Sequence, residues 1–209
     1  MKKSFVSLVM GTFALFMGCA TTVGYNGNAQ DYGGNNVNGH TMGEIQSYMR
    51  MGLPVMGLLV TREAATYIGT PYASPPNVPA TFDCSSFINY VYARFGYALP
   101  SVTSAIGNSG KRISWEEALP GDILIFSRTR GSTVIDHAAI LWKKSDNGEL
   151  VGSWIIHAAS VNTGQSMHRG NPTSRTGVVL TELGRRGDGI PDNEYFYQRY
   201  MYTIRVLKN

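Results

Sequence analysis

TFDCSSFINYVYARFG, residues 81–96, combines a helix start with a reactive side chain. Apolar residues recur every three or four positions after Phe87, which predicts a helix with one buried apolar face. Asp83 is a favourable N-cap, and Gly96 is a favourable stop signal. Cys84 is therefore expected in the first turn, where unpaired amide groups and the helix dipole should lower the pKa of its thiol.

The chain contains two cysteines, Cys19 and Cys84. Cys19 ends a predicted export signal, so processing would leave Cys84 without an intramolecular partner in a compartment where thiols oxidise. Two histidines in strand-like contexts, His137 and His157, could activate such a thiol. These residues predict a cysteine nucleophile with a histidine base. A buried structural cysteine, or a zinc site formed with both histidines, is the alternative.

Residues 1–18 are organised like a secretory signal, with a basic start and an apolar run too short for a typical membrane span. Cys19 resembles the lipidated cysteine of a bacterial lipobox, with Phe16 where leucine is usual. We predict that Cys19 carries lipid and anchors the protein to the cell envelope. Ala20 fits the outer membrane, facing the periplasm, if the host is Gram-negative. Ordinary signal cleavage or an uncleaved anchor is the alternative.

Composition divides the remaining chain into three parts. Residues 19–41 are rich in Gly and Asn and predict a flexible tether behind the lipidated cysteine. Residues 42–60 form an N-terminal extension with a short helix and an apolar turn around Pro54, and residues 61–209 form the predicted catalytic domain. The net charge of +4, near +2 once the signal is removed, gives no argument for nucleic-acid binding.

The order of predicted elements indicates an α+β protein. Thr61 is expected to cap a helix that ends near Ile68, and residues 100–114 are expected to form a loop. Asp146-Asn147-Gly148 predicts a hairpin turn. The predicted strands cover residues 123–126, 137–142, 154–158, 178–183 and 195–206.

Five short blocks follow one another along the chain. They are Gly69-Thr70-Pro71-Tyr72, Asp83-Cys84-Ser85-Ser86-Phe87, Pro120-Gly121-Asp122-Ile123-Leu124-Ile125-Phe126, Asp136-His137-Ala138-Ala139-Ile140 and Ile156-His157-Ala158. Their order, and the spacing from Tyr72 to Cys84, resemble the NlpC-type cell-wall cysteine peptidases. The resemblance covers about residues 61–160, and the later strands match only in character.

The resemblance implies a papain-like fold, with N-terminal helices packed on an antiparallel sheet. It also implies that Cys84 is the nucleophile, that His137 is the general base and that His157 orients His137. Tyr72 would lie near the oxyanion, and Ser85 would line the substrate cleft. Asp83 would belong to the same region, chiefly as the helix cap.

Enzymes of this family cleave peptidoglycan stem peptides, commonly between the γ-carboxyl of D-glutamate and a diamino acid. The resemblance therefore implies a peptidoglycan endopeptidase that needs no cofactor and no metal. Its expected partners are stem peptides and, through the N-terminal lipid, the membrane, with no nucleic acid; we expect a monomer. Ala73-Ser74-Pro75-Pro76 replaces the family's usual Trp-Gly-Gly, a departure that affects the cleft more than the reaction type.

Two other functions remain open at this stage. The same thiol–imidazole chemistry could act on the amide between muramic acid and L-alanine, or on an acyl ester. Alternatively, the protein could be a non-catalytic envelope lipoprotein that binds peptidoglycan.

Overall fold

The computed structural model describes residues 42–160, 177–184 and 195–207. Four helices come first, and six strands follow them along the chain. The helices are α1 (Met42–Arg50), α2 (Met56–Ala65), α3 (Cys84–Ala93) and α4 (Thr103–Ile106). The strands are β1 (Lys111–Ile113), β2 (Ile123–Ser127), β3 (Ile135–Lys143), β4 (Trp154–Ala159), β5 (Gly177–Glu182) and β6 (Tyr200–Arg205).

The strands form one six-stranded sheet in the order β1-β6-β2-β3-β4-β5. Every pairing between these neighbours is antiparallel. The last strand, β6, lies between β1 and β2 rather than at an edge. Helices followed by an antiparallel sheet confirm the predicted α+β class.

The apolar face of α3 packs against one face of the sheet. Phe87, Ile88 and Val91 are fully buried. They belong to the same hydrophobic cluster as sheet residues such as Ile125 and Ile140. This packing confirms the apolar stripe that the sequence predicts, and it fixes where the first turn of α3 points.

A second hydrophobic cluster draws on the alternate residues of the same strands. It contains Leu124, Phe126, Leu141 and Ile155, together with Phe196 from a helical turn at residues 195–197. Because successive side chains of a strand point to opposite faces, the central strands carry apolar side chains on both faces. All five residues of β2 are accordingly buried.

Helix α2 contacts the turn before β2 at unusually short range. A Cβ on Gly57 would lie 2.9 Å from the carbonyl carbon of Pro120, and a Cβ on Gly121 would lie 2.8 Å from the carbonyl oxygen of Gly57. The Tyr92 hydroxyl of α3 donates to the Gly121 carbonyl oxygen. Glycine at both positions therefore lets the backbone of α2 touch the turn before β2. The Tyr92 hydrogen bond fixes α3 to the same turn.

A buried ion pair connects the same turn to β6. The Arg205 guanidinium donates to both carboxylate oxygens of Asp122, at 2.9 and 2.8 Å. Asp122 also accepts from the Leu119 amide at 2.7 Å, and its side chain is 2% exposed. The desolvated carboxylate is thus matched by three donors, as a buried charge requires.

The structure corrects the predicted start of α2. The helix begins at Met56, so Thr61 is not an N-cap but a buried residue within the helix, and its hydroxyl donates to the Leu58 carbonyl at 2.9 Å. The helix also crosses the boundary predicted between residues 60 and 61. The helix predicted in the extension is confirmed as α1.

Two other segments differ from the sequence predictions. The predicted loop at residues 100–114 contains α4 and β1. The predicted strand at residues 195–206 begins instead with the helical turn at 195–197, and β6 starts at Tyr200. The hairpin predicted around residues 146–148 joins β3 to β4, and Gly148 adopts a φ of +76° there.

We expect Gly121→Ala to destabilise the protein far more than Gly131→Ala. Both glycines have left-handed backbones, with φ of +89° and +74°, so each alanine carries a similar strain of about 1 kcal/mol. A Cβ on Gly121 would also overlap the Gly57 backbone, whereas one on Gly131 meets no described atom within 4 Å. Urea unfolding should therefore show an additional loss of at least about 2 kcal/mol for Gly121→Ala. Equal losses would contradict the close approach of the two backbones.

Candidate active site

Cys84 is the first residue of α3, and its position is set by a capping box. The Asp83 carboxylate accepts from the Ser86 amide at 2.7 Å, and the Ser86 hydroxyl accepts from the Asp83 amide at 2.9 Å. These two bonds satisfy donors that a helix start would otherwise leave unpaired. The predicted N-cap at Asp83 and the predicted position of Cys84 in the first turn are confirmed.

The Cys84 thiol is half-buried between α3, α4 and β3. Its Sγ atom lies 3.4 Å from the hydroxyl oxygen of Thr103, the first residue of α4. Backbone hydrogen bonding from Ser85 and from Ala138 also reaches the sulfur. Ala138 directly follows His137, so the thiol contacts β3 immediately next to the predicted base.

Burial raises the pKa of the Cys84 thiol above its ordinary value, and the Asp83 charge adds to this effect. The Thr103 hydroxyl and the two backbone amides oppose it without reversing it. The sequence-based prediction of a lowered thiol pKa is therefore wrong for the free protein. Removal of water from the sulfur outweighs the stabilisation that a helix start provides.

The two predicted site histidines meet side by side. Nε2 of His137, on β3, lies 2.8 Å from Nδ1 of His157, on β4, with the ring planes at 82°. In the pairing of β3 with β4, Ile140 lies opposite Ile156, and one further step along this register sets His157 opposite Ala139. His137 and His157 are then diagonal neighbours on one face, which is within reach of two rings.

His157 continues the contact into the next strand. It is fully buried, and its Nε2 lies 2.9 Å from the Thr181 hydroxyl oxygen of β5. A chain of two hydrogen bonds thus runs from His137 through His157 to Thr181. The structure brings together the base and the orienting residue that the resemblance implies.

Burial lowers the pKa of His137 to about 4. Asp136 acts in the opposite direction, and the positive charge of Arg199 lowers the pKa further. The imidazole is therefore neutral at neutral pH. Because the thiol pKa is raised as well, the free protein holds a thiol and a neutral imidazole rather than an ion pair.

An aromatic residue that the sequence analysis did not identify shields the two histidines. The ring centroid of Phe196 lies 4.7 Å from that of His157 and 5.2 Å from that of His137. Phe196 is 1% exposed and also contacts Phe126. An apolar neighbour of this kind helps to keep water from the fully buried His157 ring and reduces the exposure of the His137 ring, which stays partly accessible.

Tyr72 lies close to the start of α3. It forms a parallel bridge with Phe82, in which the Phe82 amide donates to the Pro71 carbonyl at 3.0 Å. Burial raises the pKa of the Tyr72 hydroxyl, with smaller contributions from the Cys84 and Asp83 charges. Tyr72 therefore lies within electrostatic reach of the sulfur, in the region that the resemblance implies.

Asp83 and Ser85, the two sequence neighbours of Cys84, line a cavity of about 440 Å³ along α3, whose lining includes neither Cys84 nor His137. The Ser85 hydroxyl donates to the Asp83 carboxylate at 3.0 Å, so the two side chains act as one polar unit. Seven other residues complete the lining: Pro76, Val78, Ser86, Asn89, Tyr90, Ala93 and Ser101. Pro76 comes from the Ala73-Ser74-Pro75-Pro76 segment that replaces the usual Trp-Gly-Gly of the family, and Val78 follows it two residues later.

Three side chains at the site were missed by sequence reasoning: Thr103, Thr181 and Phe196. Thr103 begins a helix of four residues, too short to leave a periodic pattern in the sequence. Thr181 did carry a signal, since it is a hydroxyl residue in a strand buried on both faces. A buried polar group requires a hydrogen-bond partner, and His157 supplies it.

Several predictions on the N-terminal part of the chain concern residues outside those described. These are the signal at 1–18, the lipidated Cys19 and the tether at 19–41. No helix within the described ranges is long and apolar enough to cross a membrane. Within the same ranges, no group of three His, Cys, Asp or Glu side chains is arranged to hold a metal ion.

The NlpC/P60 family model matches residues 69–179 of this chain. A Listeria innocua protein named "Probable endopeptidase p60" is 37% identical over 91 residues, which cover 44% of this chain and 18% of the relative. The Bacillus subtilis "Bifunctional muramidase/DL-endopeptidase CwlT" is 32% identical over 117 residues, covering 53% of this chain and 36% of the relative. The chain thus matches well under half the length of either relative.

The fold is also similar to that of solved structures. A crystal structure of an NlpC/P60 family protein from Bacillus cereus superimposes with a TM-score of 0.53 at 20% identity, covering 71% of this chain and 39% of that one. This confirms the papain-like fold. The chain belongs to the NlpC/P60 family.

The neutral state of the site predicts how Cys84 reacts with iodoacetamide. In a Cys19→Ser protein, where Cys84 is the only thiol, the alkylation rate should still rise with pH above about 8.5, the range of an ordinary thiol. A raised pKa delays formation of the thiolate, so the titration should lie at higher pH than that of the same protein unfolded in urea. Stopped-flow or quenched rates across pH 5–10 measure both curves.

Thr103→Val provides the matched variant for this measurement. The Thr103 hydroxyl opposes the rise in thiol pKa, so its loss should move the titration further upward. A rate that reaches its plateau below pH 8 in the native protein would contradict the neutral pair and restore the ion pair.

Proposed function

We propose that this protein is a cysteine-type peptidase that hydrolyses an amide bond in peptidoglycan stem peptides, with Cys84 as the nucleophile. One observation carries the proposal. The Cys84 thiol, at the start of a capped helix, contacts the backbone directly after His137, whose ring is hydrogen-bonded to His157. A nucleophile, a base and an orienting group in this arrangement support acyl transfer to a thiol.

Proton transfer accompanies the attack because both groups are neutral at rest. Nε2 of His137 is engaged by His157, so Nδ1 is the nitrogen available to accept the thiol proton. As the sulfur attacks the scissile carbonyl, the proton passes to His137, which becomes an imidazolium. That imidazolium then donates the proton to the leaving amine, and water hydrolyses the thioester.

The negative charge on the carbonyl oxygen requires donors near the start of α3. The Ser86 amide is bound to the Asp83 carboxylate and the Phe87 amide to the Asp83 carbonyl. The Cys84 amide is therefore the backbone donor we assign to the oxyanion, with the Tyr72 hydroxyl as its partner. Removing one such donor typically costs about 3 kcal/mol of transition-state stabilisation.

Part of the substrate peptide would extend from Cys84 into the cavity along α3, which Asp83 and Ser85 line. Asp83 provides a carboxyl group there, whose complement in a stem peptide is an amine. The finer assignment, a bond between the γ-carboxyl of D-glutamate and a diamino acid, is supported by a relative whose name includes DL-endopeptidase activity. It is also supported by the family to which the chain belongs.

Cys84→Ala should abolish the release of peptide fragments from purified peptidoglycan, with a loss of at least about 10³-fold in rate. Ser104→Ala, which changes an exposed serine of α4, serves as the control and should keep its activity. Mass spectrometry identifies the new amine. A diamino-acid amine supports the proposed bond, and a new L-alanine amine assigns the amidase reaction instead.

Circular dichroism and thermal unfolding should show that Cys84→Ala remains folded. Release that continues at the wild-type rate in this variant would reject the cysteine mechanism. Binding of peptidoglycan without release by the wild-type protein would favour the non-catalytic alternative.

We also propose that Cys19 is lipidated and holds the protein on the cell envelope. The support is the sequence alone: a signal-like segment, a lipobox-like cysteine and a Gly/Asn-rich tether. Cells grown with labelled palmitate should incorporate the label into the wild-type protein but not into Cys19→Ser, which should leave the membrane fraction. Absence of label from the wild-type protein would reject the lipid anchor.

A further inference from the structure

We propose that Thr181 is a positioning residue that stabilises the catalytically competent tautomer of His137, by accepting a hydrogen bond from His157. This inference rests on the proposed function, since it concerns the base of that reaction. It depends on two distances: 2.8 Å from His137 Nε2 to His157 Nδ1, and 2.9 Å from His157 Nε2 to the Thr181 hydroxyl oxygen.

A neutral imidazole has one nitrogen that donates and one that accepts. Two proton arrangements therefore satisfy both hydrogen bonds. In the first, His137 Nε2–H donates to His157 Nδ1, and His157 Nε2–H donates to the Thr181 oxygen. In the second, the Thr181 hydroxyl donates to His157 Nε2, and His157 Nδ1–H donates to His137 Nε2.

Only the first arrangement leaves His137 able to act. It places the proton of His137 on Nε2, so the lone pair is on Nδ1, where the thiol proton must go. In the second arrangement Nδ1 already carries a hydrogen and cannot accept another. Whether the Thr181 hydroxyl accepts from His157 or donates to it is thus coupled to whether His137 can accept a proton on Nδ1.

The same arrangement suits the charged intermediate. After His137 accepts the proton, both of its nitrogens carry hydrogen, so His157 Nδ1 must be an acceptor. His157 then keeps its own proton on Nε2 and donates it to Thr181. Thr181 as an acceptor therefore favours both the state before proton transfer and the state after it.

Burial makes the hydroxyl difficult to replace. Thr181 is 3% exposed, His157 is fully buried, and Phe196 lies against the His157 ring. With valine at position 181, His157 Nε2–H would lose its acceptor in a site closed to solvent. Because a buried N–H that loses an acceptor is costly, this loss favours the form in which His157 carries its proton on Nδ1, which forces His137 into the incompetent form.

Sheet register explains why Thr181 occupies this position. Thr181 is paired with Ile155, and His157 with Val179, in the β4–β5 register. Thr181 and His157 are therefore diagonal neighbours on the same face, as His157 and His137 are across β3 and β4. The adjacent strands β3, β4 and β5 thus contribute His137, His157 and Thr181, in that order, to one continuous chain of hydrogen bonds.

The test compares Thr181→Val with Thr181→Ser. Valine keeps the shape of the side chain and removes the hydroxyl, whereas serine keeps the hydroxyl. We expect Thr181→Val to lower kcat on a defined stem peptide by at least about 10-fold with little change in KM. A wrong histidine tautomer in the serine-protease triad costs about 10⁴-fold, and Thr181 acts one ring further away. Thr181→Ser should stay within about threefold of the wild type, because its hydroxyl can still accept.

Thr203→Val is the matched control. Thr203 is also a buried threonine of the sheet, but its hydroxyl contacts Tyr200 at 2.9 Å and not the histidine pair. This variant should keep its kcat even if it loses some stability. A loss of kcat in Thr203→Val equal to that in Thr181→Val would mean that general loosening of the sheet, not the tautomer, is responsible.

A spectroscopic measurement separates this inference from the proposed function. Nitrogen-15 NMR of labelled histidine distinguishes Nδ1–H from Nε2–H forms without any substrate, with assignments from His137→Gln and His157→Gln. We expect Nε2–H for His137 in the wild type and Nδ1–H in Thr181→Val. That shift in a protein inactive on peptidoglycan would uphold the inference and reject the proposed function. An active Thr181→Val with the wild-type tautomer would reject the inference alone.

Discussion

The antiparallel register of β3, β4 and β5 is the constraint on which the site depends. Ile140 lies opposite Ile156, and Ile155 lies opposite Thr181. These pairings put His137, His157 and Thr181 on one face as successive diagonal neighbours. A slip of one residue in either pairing would move a ring or the hydroxyl to the other face of the sheet. The apolar residues of both faces resist such a slip, so core packing also fixes the geometry of the site.

Burial, rather than the helix dipole, decides the charge state of the site. A charge near a helix end is worth about 0.3–1 kcal/mol, which is less than one pKa unit. Desolvation shifts the pKa of a fully buried group by up to about 3–5 units, so even the partial burial of Cys84 and His137 can exceed the effect of the helix dipole. Cys84 and His137 therefore both rest in their neutral forms, and Phe196 strengthens this effect by covering the imidazoles. When both groups are neutral, proton transfer depends on which nitrogen of each imidazole carries the hydrogen. The hydrogen bonds that run from His137 through His157 to Thr181 therefore matter for the reaction.

Features encoded by neighbouring residues were predictable from the sequence. The cap at Asp83, the apolar face of α3 and the four strands from β2 to β5 follow from local patterns, and the order of the motif blocks led to the family. The start of α2 was not predictable in this way, because tertiary packing of Gly57 against Pro120 extends the helix beyond the cap-like Thr61. The sign of the thiol pKa shift was also inaccessible, since it depends on how much water the folded chain removes from the sulfur.

The central place of β6 has a consequence for how the sheet can be completed. During synthesis the N-terminal part of the chain is made first. Strands β1 and β2 are therefore available before β6, the strand that lies between them in the sheet. Until residues 200–205 arrive, the outer edge of β2 offers unpaired amides and carbonyls, and the Asp122 carboxylate lacks its guanidinium partner. The sheet is therefore complete only when β6 has paired with both β1 and β2, because β1 joins the other strands through β6 alone.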